Sequence, residues 1–194
     1  LLSKCDLTTQ MVGEFDKLQG IMGTYYARND GEDENVAIAM TEQYLPKYSG
    51  DALAQNPVGQ CLAIADRVDS LVGIFGIGQA PKGAKDPFAL RRAAIGLLRT
   101  IVENGLKLDL VDLIESSKAS FGDKLTNPNL AEDLVGFVLE RFRAWYLDQG
   151  VSANTINAVM ALQPTQPLDF DQRLKAVQHF QTLEASDSLS AANK

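Results

Sequence analysis

Apolar residues recur at spacings of three and four along almost the whole chain. In the first segment Leu7, Met11, Phe15, Leu18, Met22 and Tyr26 fall on one helical face. Gly31 follows as a stop, and Glu32, Asp33 and Glu34 place negative charge at the start of the next helix. That helix carries Val36, Met40 and Tyr44 and ends near Pro46. Asn56-Pro57 joins an N-cap residue to a proline at the first helical position. The helix it opens is expected to bury Cys61, Leu62, Ala65, Val68, Leu71, Val72 and Phe75, and to end in a glycine-rich loop over 73–83. Asp86-Pro87 repeats the signal before Leu90, Ala94, Leu97, Leu98, Ile101 and Val102, and Gly105 closes that helix. Further helices are expected over 110–120, 130–149, 153–162 and 169–185, with Gly150 as a C-cap and Ser152 as an N-cap. No stretch alternates at period two between hairpin turns, so the expected fold class is all-α. The loop over 121–129 divides the chain into a first lobe, 1–120, and a second helical region, 121–194.

Composition changes this picture in two ways. With 45% hydrophobic residues in 194, the chain can bury a real core, and it turns small and polar only from Ser186 onward. Its formal charge of −7 argues against a free-standing nucleic-acid binder, whose affinity rests on a basic footprint. Any RNA contact must be local or shared with another domain or chain. Cys5 and Cys61 have no partner motif, which fits a reducing compartment and builds neither a disulfide scaffold nor a zinc site. No apolar run approaches the roughly 20 residues that cross a bilayer, and no signal-peptide pattern is present, so no membrane association and a cytoplasmic location are expected. The start at Leu1-Leu2-Ser3 and the end at Ala191-Ala192-Asn193-Lys194 read as those of a piece of a longer chain.

Catalytic chemistry is hard to assemble from what is present. The one histidine, His179, has no partners for a nucleophilic triad or a metal cluster, so no catalytic residue and no metal ligand is expected. The loop Gly76-Ile77-Gly78-Gln79-Ala80-Pro81-Lys82-Gly83 lacks the spacing and the terminal Gly-Lys-Ser/Thr of a P-loop, and it follows a helix instead of a strand. A hinge-like connection, whose glycines accept positive φ or a close backbone neighbour, is the simpler reading. Asp66 and Asp69 lie three apart on one helical face. They are candidates for an acid–base pair, but structural pairing with Arg91 and Arg92, or with Arg67 and nearby lysines, is favoured. Lys82, Lys85, Arg91, Arg92 and Arg99 form the basic feature that remains. Arg91 and Arg92 point about 100° apart, so one faces inward and the other outward. Phosphate contact and intramolecular ion pairing are both open for them.

Two blocks carry a resemblance. The first runs from Asp6 to Phe15 (DLTTQMVGEF), continuing through Leu18–Gly23 and Tyr25–Ala27; the second runs from Ala65 to Phe75 (ADRVDSLVGIF), through Gly76–Gly78 and Asp86–Ala94. Together they resemble the β subunit of the bacterial heteromeric glycyl-tRNA synthetase, closely over 1–104 and more loosely beyond. The resemblance implies a helical region like an HD domain with a degenerate metal site, ahead of an absent C-terminal anticodon-binding domain. In that comparison Glu14-Phe15 stands where an active HD domain has its His-Asp pair, and Asp66 or Asp69 where it has its distant acid. Glu14, Asp66 and Asp69 are therefore expected as structural ion-pair residues. The family implies ATP-dependent aminoacylation through glycyl-adenylate, with ATP and Mg used on the α subunit and no cofactor in this chain. Its implied partners are tRNA-Gly and the α subunit, in an α2β2 heterotetramer.

The expected role is thus a non-catalytic helical platform that helps grip tRNA through its sugar-phosphate shape. A purely structural connector between the α-contacting and anticodon-binding parts is the alternative. A residual metal-dependent phosphohydrolase stands a distant third, with the single histidine against it.

Overall fold

A computed structural model describes residues 3–186 and 188. Among them the chain forms nine α-helices: α1 (Gln10–Glu14), α2 (Ile21–Asn29), α3 (Glu34–Glu42), α4 (Pro57–Gly76), α5 (Leu90–Glu103), α6 (Leu110–Phe121), α7 (Leu130–Asp148), α8 (Ala153–Met160) and α9 (Pro167–Gln181). Short 3₁₀ turns flank α1 and follow α6. The fold is all-α; within the described residues the only β pairing is an isolated bridge between Lys82 and Lys85. No helix there is long and apolar enough to cross a membrane. The polar tail expected from Ser186 onward lies almost wholly outside the described residues.

Helix α4 is the axis of the molecule, packing against α3, α5, α6 and α7. Its start is encoded locally: the Asn56 side chain accepts from Val58 N–H, and Pro57 fills the first position where no donor is needed. Val68, Leu71, Val72 and Phe75 of α4 join Leu90, Leu97, Leu98 and Ile101 of α5 in one core. That core continues through Leu134, Val138 and Phe142 of α7 to Phe170 and Leu174 of α9, on both sides of position 120. Cys61 and Ala65 were expected inside but are exposed, because their side of α4 opens into a cavity facing α6. Ala63 and Ile64 are buried in their place.

The first segment departs most from its periodicity. Instead of one helix, residues 5–29 break into a 3₁₀ turn, α1, a second 3₁₀ turn and α2. The cause is tertiary. The buried Asp6 carboxylate accepts the Gly20 N–H at 2.6 Å and the Gly23 N–H at 3.2 Å, supplying acceptors for the first turn of α2. Gly20 sits at φ 76°, and a Cβ there would lie 2.6 Å from the Met40 carbonyl. The apolar stripe that opens the chain is consequently turned outward: Leu7, Met11 and Phe15 are 46%, 41% and 59% exposed.

Two further boundaries moved. Gly73 and Gly76, expected in a loop, lie inside α4. A Cβ at Gly73 would meet the Phe121 ring at 3.1 Å, and the Gly76 carbonyl accepts Thr126 and Asn127 N–H groups, so these glycines admit close neighbours. Helix α5 starts at Leu90 instead of at Pro87, after Ala89 at φ 54°. Asp86 still caps it, accepting from Leu90 N–H at 2.8 Å and Arg91 N–H at 3.0 Å.

Arg67 ties the N-terminal helices to this frame. Its guanidinium is buried and donates to the carbonyls of Leu45 (2.7 Å), Ala63 (2.8 Å), Pro46 (3.2 Å) and Gln43 (3.3 Å). The segment after α3 thereby finds donors for carbonyls that no helix satisfies. Burial pushes the Arg67 pKa down, partly offset by the charge of Asp66, yet the group stays cationic.

Candidate nucleic-acid interface

The basic residues singled out from the sequence lie on α5 and on the loop that leads into it, and they differ in how free they are. Lys82 and Lys85 sit on the loop between α4 and α5, where the Lys82 N–H donates to the Lys85 carbonyl and the Lys85 N–H returns the bond. This pinch presents both side chains to solvent, exposed and without an ion-pair partner among the described residues. Arg92, in the first turn of α5, is likewise exposed and unpaired among them. Arg91 faces inward: its Nη2 donates to the Gly83 carbonyl at 2.6 Å and its Nη1 lies 3.9 Å from Asp86. Arg99, two turns further along, is held by Glu103 at 2.6 Å and by the Asp51 carbonyl at 3.1 Å. Of the inward and outward pair, then, Arg91 braces the loop and Arg92 meets solvent.

Arg91, Arg92 and Arg99 line a common cleft of about 360 Å³ with a residue the sequence reading missed, Arg141 of α7. Trp145 of α7 forms a wall, and Tyr48, 65% exposed, belongs to the same lining. Arg141 pairs with Glu140 at 2.9 Å, and its guanidinium lies 5.6 Å from the centroid of the Phe137 ring. Nothing local in the sequence marks it, since the cleft exists only once α5 and α7 pack.

The acidic candidates are placed differently from expectation. Asp66 pairs with Lys4, not with Arg91 or Arg92, which line a separate cleft. Asp69 is exposed and Glu14 is exposed, and neither makes an ion pair among the described residues. Arg67, the other proposed partner, spends its donors on backbone carbonyls. Asp66 and Asp69 do share a cavity of about 620 Å³, walled by Leu62, Leu108 and Leu113 and rimmed by serines of α6. Among the described residues no three His, Cys, Asp or Glu side chains are grouped so as to hold a metal ion. His179 is exposed near the end of α9, its carbonyl accepting from Thr182.

An exposed cationic loop leading into an arginine-lined cleft gives this all-helical, acidic chain a positive charge that is local. Sequence comparison supplies the family: a profile described as "Glycyl-tRNA synthetase beta subunit" matches residues 1–161, and the chain belongs to that family. It is 60% identical over 194 residues to the glycine–tRNA ligase beta subunit of Haemophilus influenzae (strain ATCC 51907 / DSM 11121 / KW20 / Rd). It is 61% identical over the same span to that of Escherichia coli O157:H7 (strain EC4115 / EHEC), and 59% to that of Pasteurella multocida (strain Pm70). In each case the match covers 100% of this chain and 28% of the relative.

Proposed function

We propose that this chain is a non-catalytic helical platform within a glycine–tRNA ligase beta subunit, acting in the cytoplasm to help hold tRNA-Gly during ATP-dependent charging. In this reading glycine activation takes place on the α subunit of an α2β2 enzyme, ATP and Mg are used there, and this region supplies grip and position. The observation that carries it is the set of exposed cations Lys82, Lys85 and Arg92, unpaired among the described residues, on a chain whose net charge is −7. Cations so arranged meet phosphate without reading bases. The degenerate HD-like ancestry belongs to the same reading. For assembly, the outward stripe of Leu7, Met11 and Phe15 offers an apolar face for another part of the beta subunit or for α.

A structural connector is favoured by one observation, the internal engagement of Arg91 and Arg99. The two readings separate in the full α/β enzyme. Neutralising Lys82, Lys85 and Arg92 together (each to Gln) is expected to weaken tRNA-Gly binding and to flatten its salt dependence by about one to three contacts, with the melting temperature held. Unchanged binding, or a collapsed melt, replaces the platform by the connector.

A further inference from the structure

Four of the chain's eight arginines, Arg91, Arg92, Arg99 and Arg141, line the single cleft of about 360 Å³ between α5 and α7. Like charges gathered at this density need counter-charge, and four carboxylates stand near them, but only one of the four belongs to the cleft lining. Glu103 engages Arg99 from α5, Asp86 stands 3.9 Å from Arg91, and Glu140 engages Arg141 from its exposed position. Asp148 is the one acid in the cleft lining. After these pairings, Arg92 has no ion-pair partner among the described residues, and two donors remain unspent inside: Nη1 of Arg99 and Nε of Arg141 are buried without a hydrogen-bond partner among them. A guanidinium cannot shed its proton to escape that cost, so a buried N–H without an acceptor is a standing penalty that an incoming oxyanion would relieve.

We propose that this cleft is a seat for a backbone phosphate of bound RNA, with Arg92 and Arg141 as its principal donors and Arg99 contributing through Nη1. The forked, planar guanidinium suits the paired oxygens of a phosphodiester. Trp145 gives a flat apolar wall of the kind a ribose or base packs against, and the exposed Tyr48 ring extends that surface. Arg92 belongs both to the cleft and to the exposed face carrying Lys82 and Lys85, so the seat lies on the same path. The proposal rests on the platform reading and sharpens it: the exposed lysines draw the RNA in, and the cleft fixes its register.

The test uses the full α/β enzyme carrying Arg141→Gln, with Arg173→Gln on α9 as a control outside the cleft. The readouts are tRNA-Gly affinity across a salt series, tRNA-independent ATP–pyrophosphate exchange, subunit assembly by sedimentation, and the melting temperature. For R141Q the tRNA dissociation constant should rise about tenfold and the slope of log affinity against log salt should fall by about one unit, with exchange unchanged. R141K, which keeps the charge and loses the fork, should retain the slope while binding about threefold more weakly. It also serves as the test variant if R141Q does not fold. Wild-type affinity and slope in both variants overturn the seat, whatever the Lys82/Lys85/Arg92 variant shows. Loss of α from the complex at unchanged RNA slope also overturns it, since the cleft would then hold an acidic protein segment. If R141Q behaves as expected while a Lys82→Gln/Lys85→Gln variant that keeps Arg92 is silent, the seat stands and the exposed loop does not contribute; silence of the variant that also lacks Arg92 overturns it.

Discussion

Replacing Arg67 by Met should be among the most damaging single changes available to this chain, and the reason is countable. Arg67 donates to four backbone carbonyls within 3.3 Å, and those of Gln43, Leu45 and Pro46 receive no other hydrogen bond from the described residues. Each buried carbonyl left without a donor costs about 1–3 kcal/mol. Relief from burying the guanidinium offsets part of this, since burial disfavours its charge. A net loss of about 3–5 kcal/mol follows, against a total stability of about 5–15 kcal/mol for a typical domain. Gly96 of α5 supplies an internal control. A Cβ there would stand 2.6 Å from Arg67 Nε and 3.3 Å from its Cζ, and the guanidinium is too firmly held to retreat. Gly96→Ala should therefore destabilise by about 1–3 kcal/mol, although Ala exceeds Gly in helix propensity by about 1 kcal/mol. In the Arg67→Met background the obstruction is gone, and the same change should become neutral or favourable. Urea denaturation of the four proteins, followed by circular dichroism, gives the coupling energy directly. A loss below about 1 kcal/mol for R67M, or additive effects in the cycle, would show that Arg67 does not hold these carbonyls or crowd Gly96.

Asp6→Ala removes the acceptor of the Gly20 and Gly23 N–H groups and should cost about 2–4 kcal/mol in the same assay; an effect confined to a few tenths would mean that water caps α2 equally well. Tyr146→Phe deletes the buried donor that reaches Asp171 at 2.7 Å and should cost about 1–3 kcal/mol, whereas retained stability would show the bond to be energetically idle. Asp109 caps α6 and accepts from Thr165; burial pushes its carboxyl up, but the bonds from Thr165, Val111 and Asp112 outweigh that and hold it below the ordinary value of 3.8. Its stabilisation is present above 3.8 and is lost as the pH falls through the lower folded value, so Asp109→Asn should flatten the acid limb of stability against pH, and an unaltered limb would exclude this cap as its source.

The elements written in local code were the ones legible in the sequence. Asn56-Pro57 begins α4 where the cap rules place it, Ser152 accepts from the Thr155 N–H at the start of α8, and the faces of α4 and α5 point largely as their spacing dictates. What stayed hidden depends on partners distant in the chain. The break after α1 follows from Asp6 reaching Gly20 and Gly23, which no three-or-four spacing encodes. Gly73 and Gly76 look like loop glycines until Phe121 and the 125–127 strand of chain are packed onto α4. The candidate site divided along the same line. Lys82, Lys85, Arg91, Arg92 and Arg99 could be named as candidate basic residues, but not which of them are free, because Arg91 and Arg99 are engaged only by the folded loop and by Asp51 and Glu103. Arg141 could not, because its importance arises from α7 meeting α5, and the partner of Asp66 was mistaken because Lys4 is 62 positions away.

The loop carrying Lys82 and Lys85 is proposed to face bound RNA. The most direct measurement is covalent labelling of lysines in the full α/β enzyme, read by mass spectrometry with and without tRNA-Gly, with the exposed Lys17 as internal reference. Protection of Lys82 and Lys85 by tRNA, reversed by high salt and absent at Lys17, is the predicted result. Equal labelling of Lys82 and Lys85 in the two states, with tRNA demonstrably bound, would contradict it.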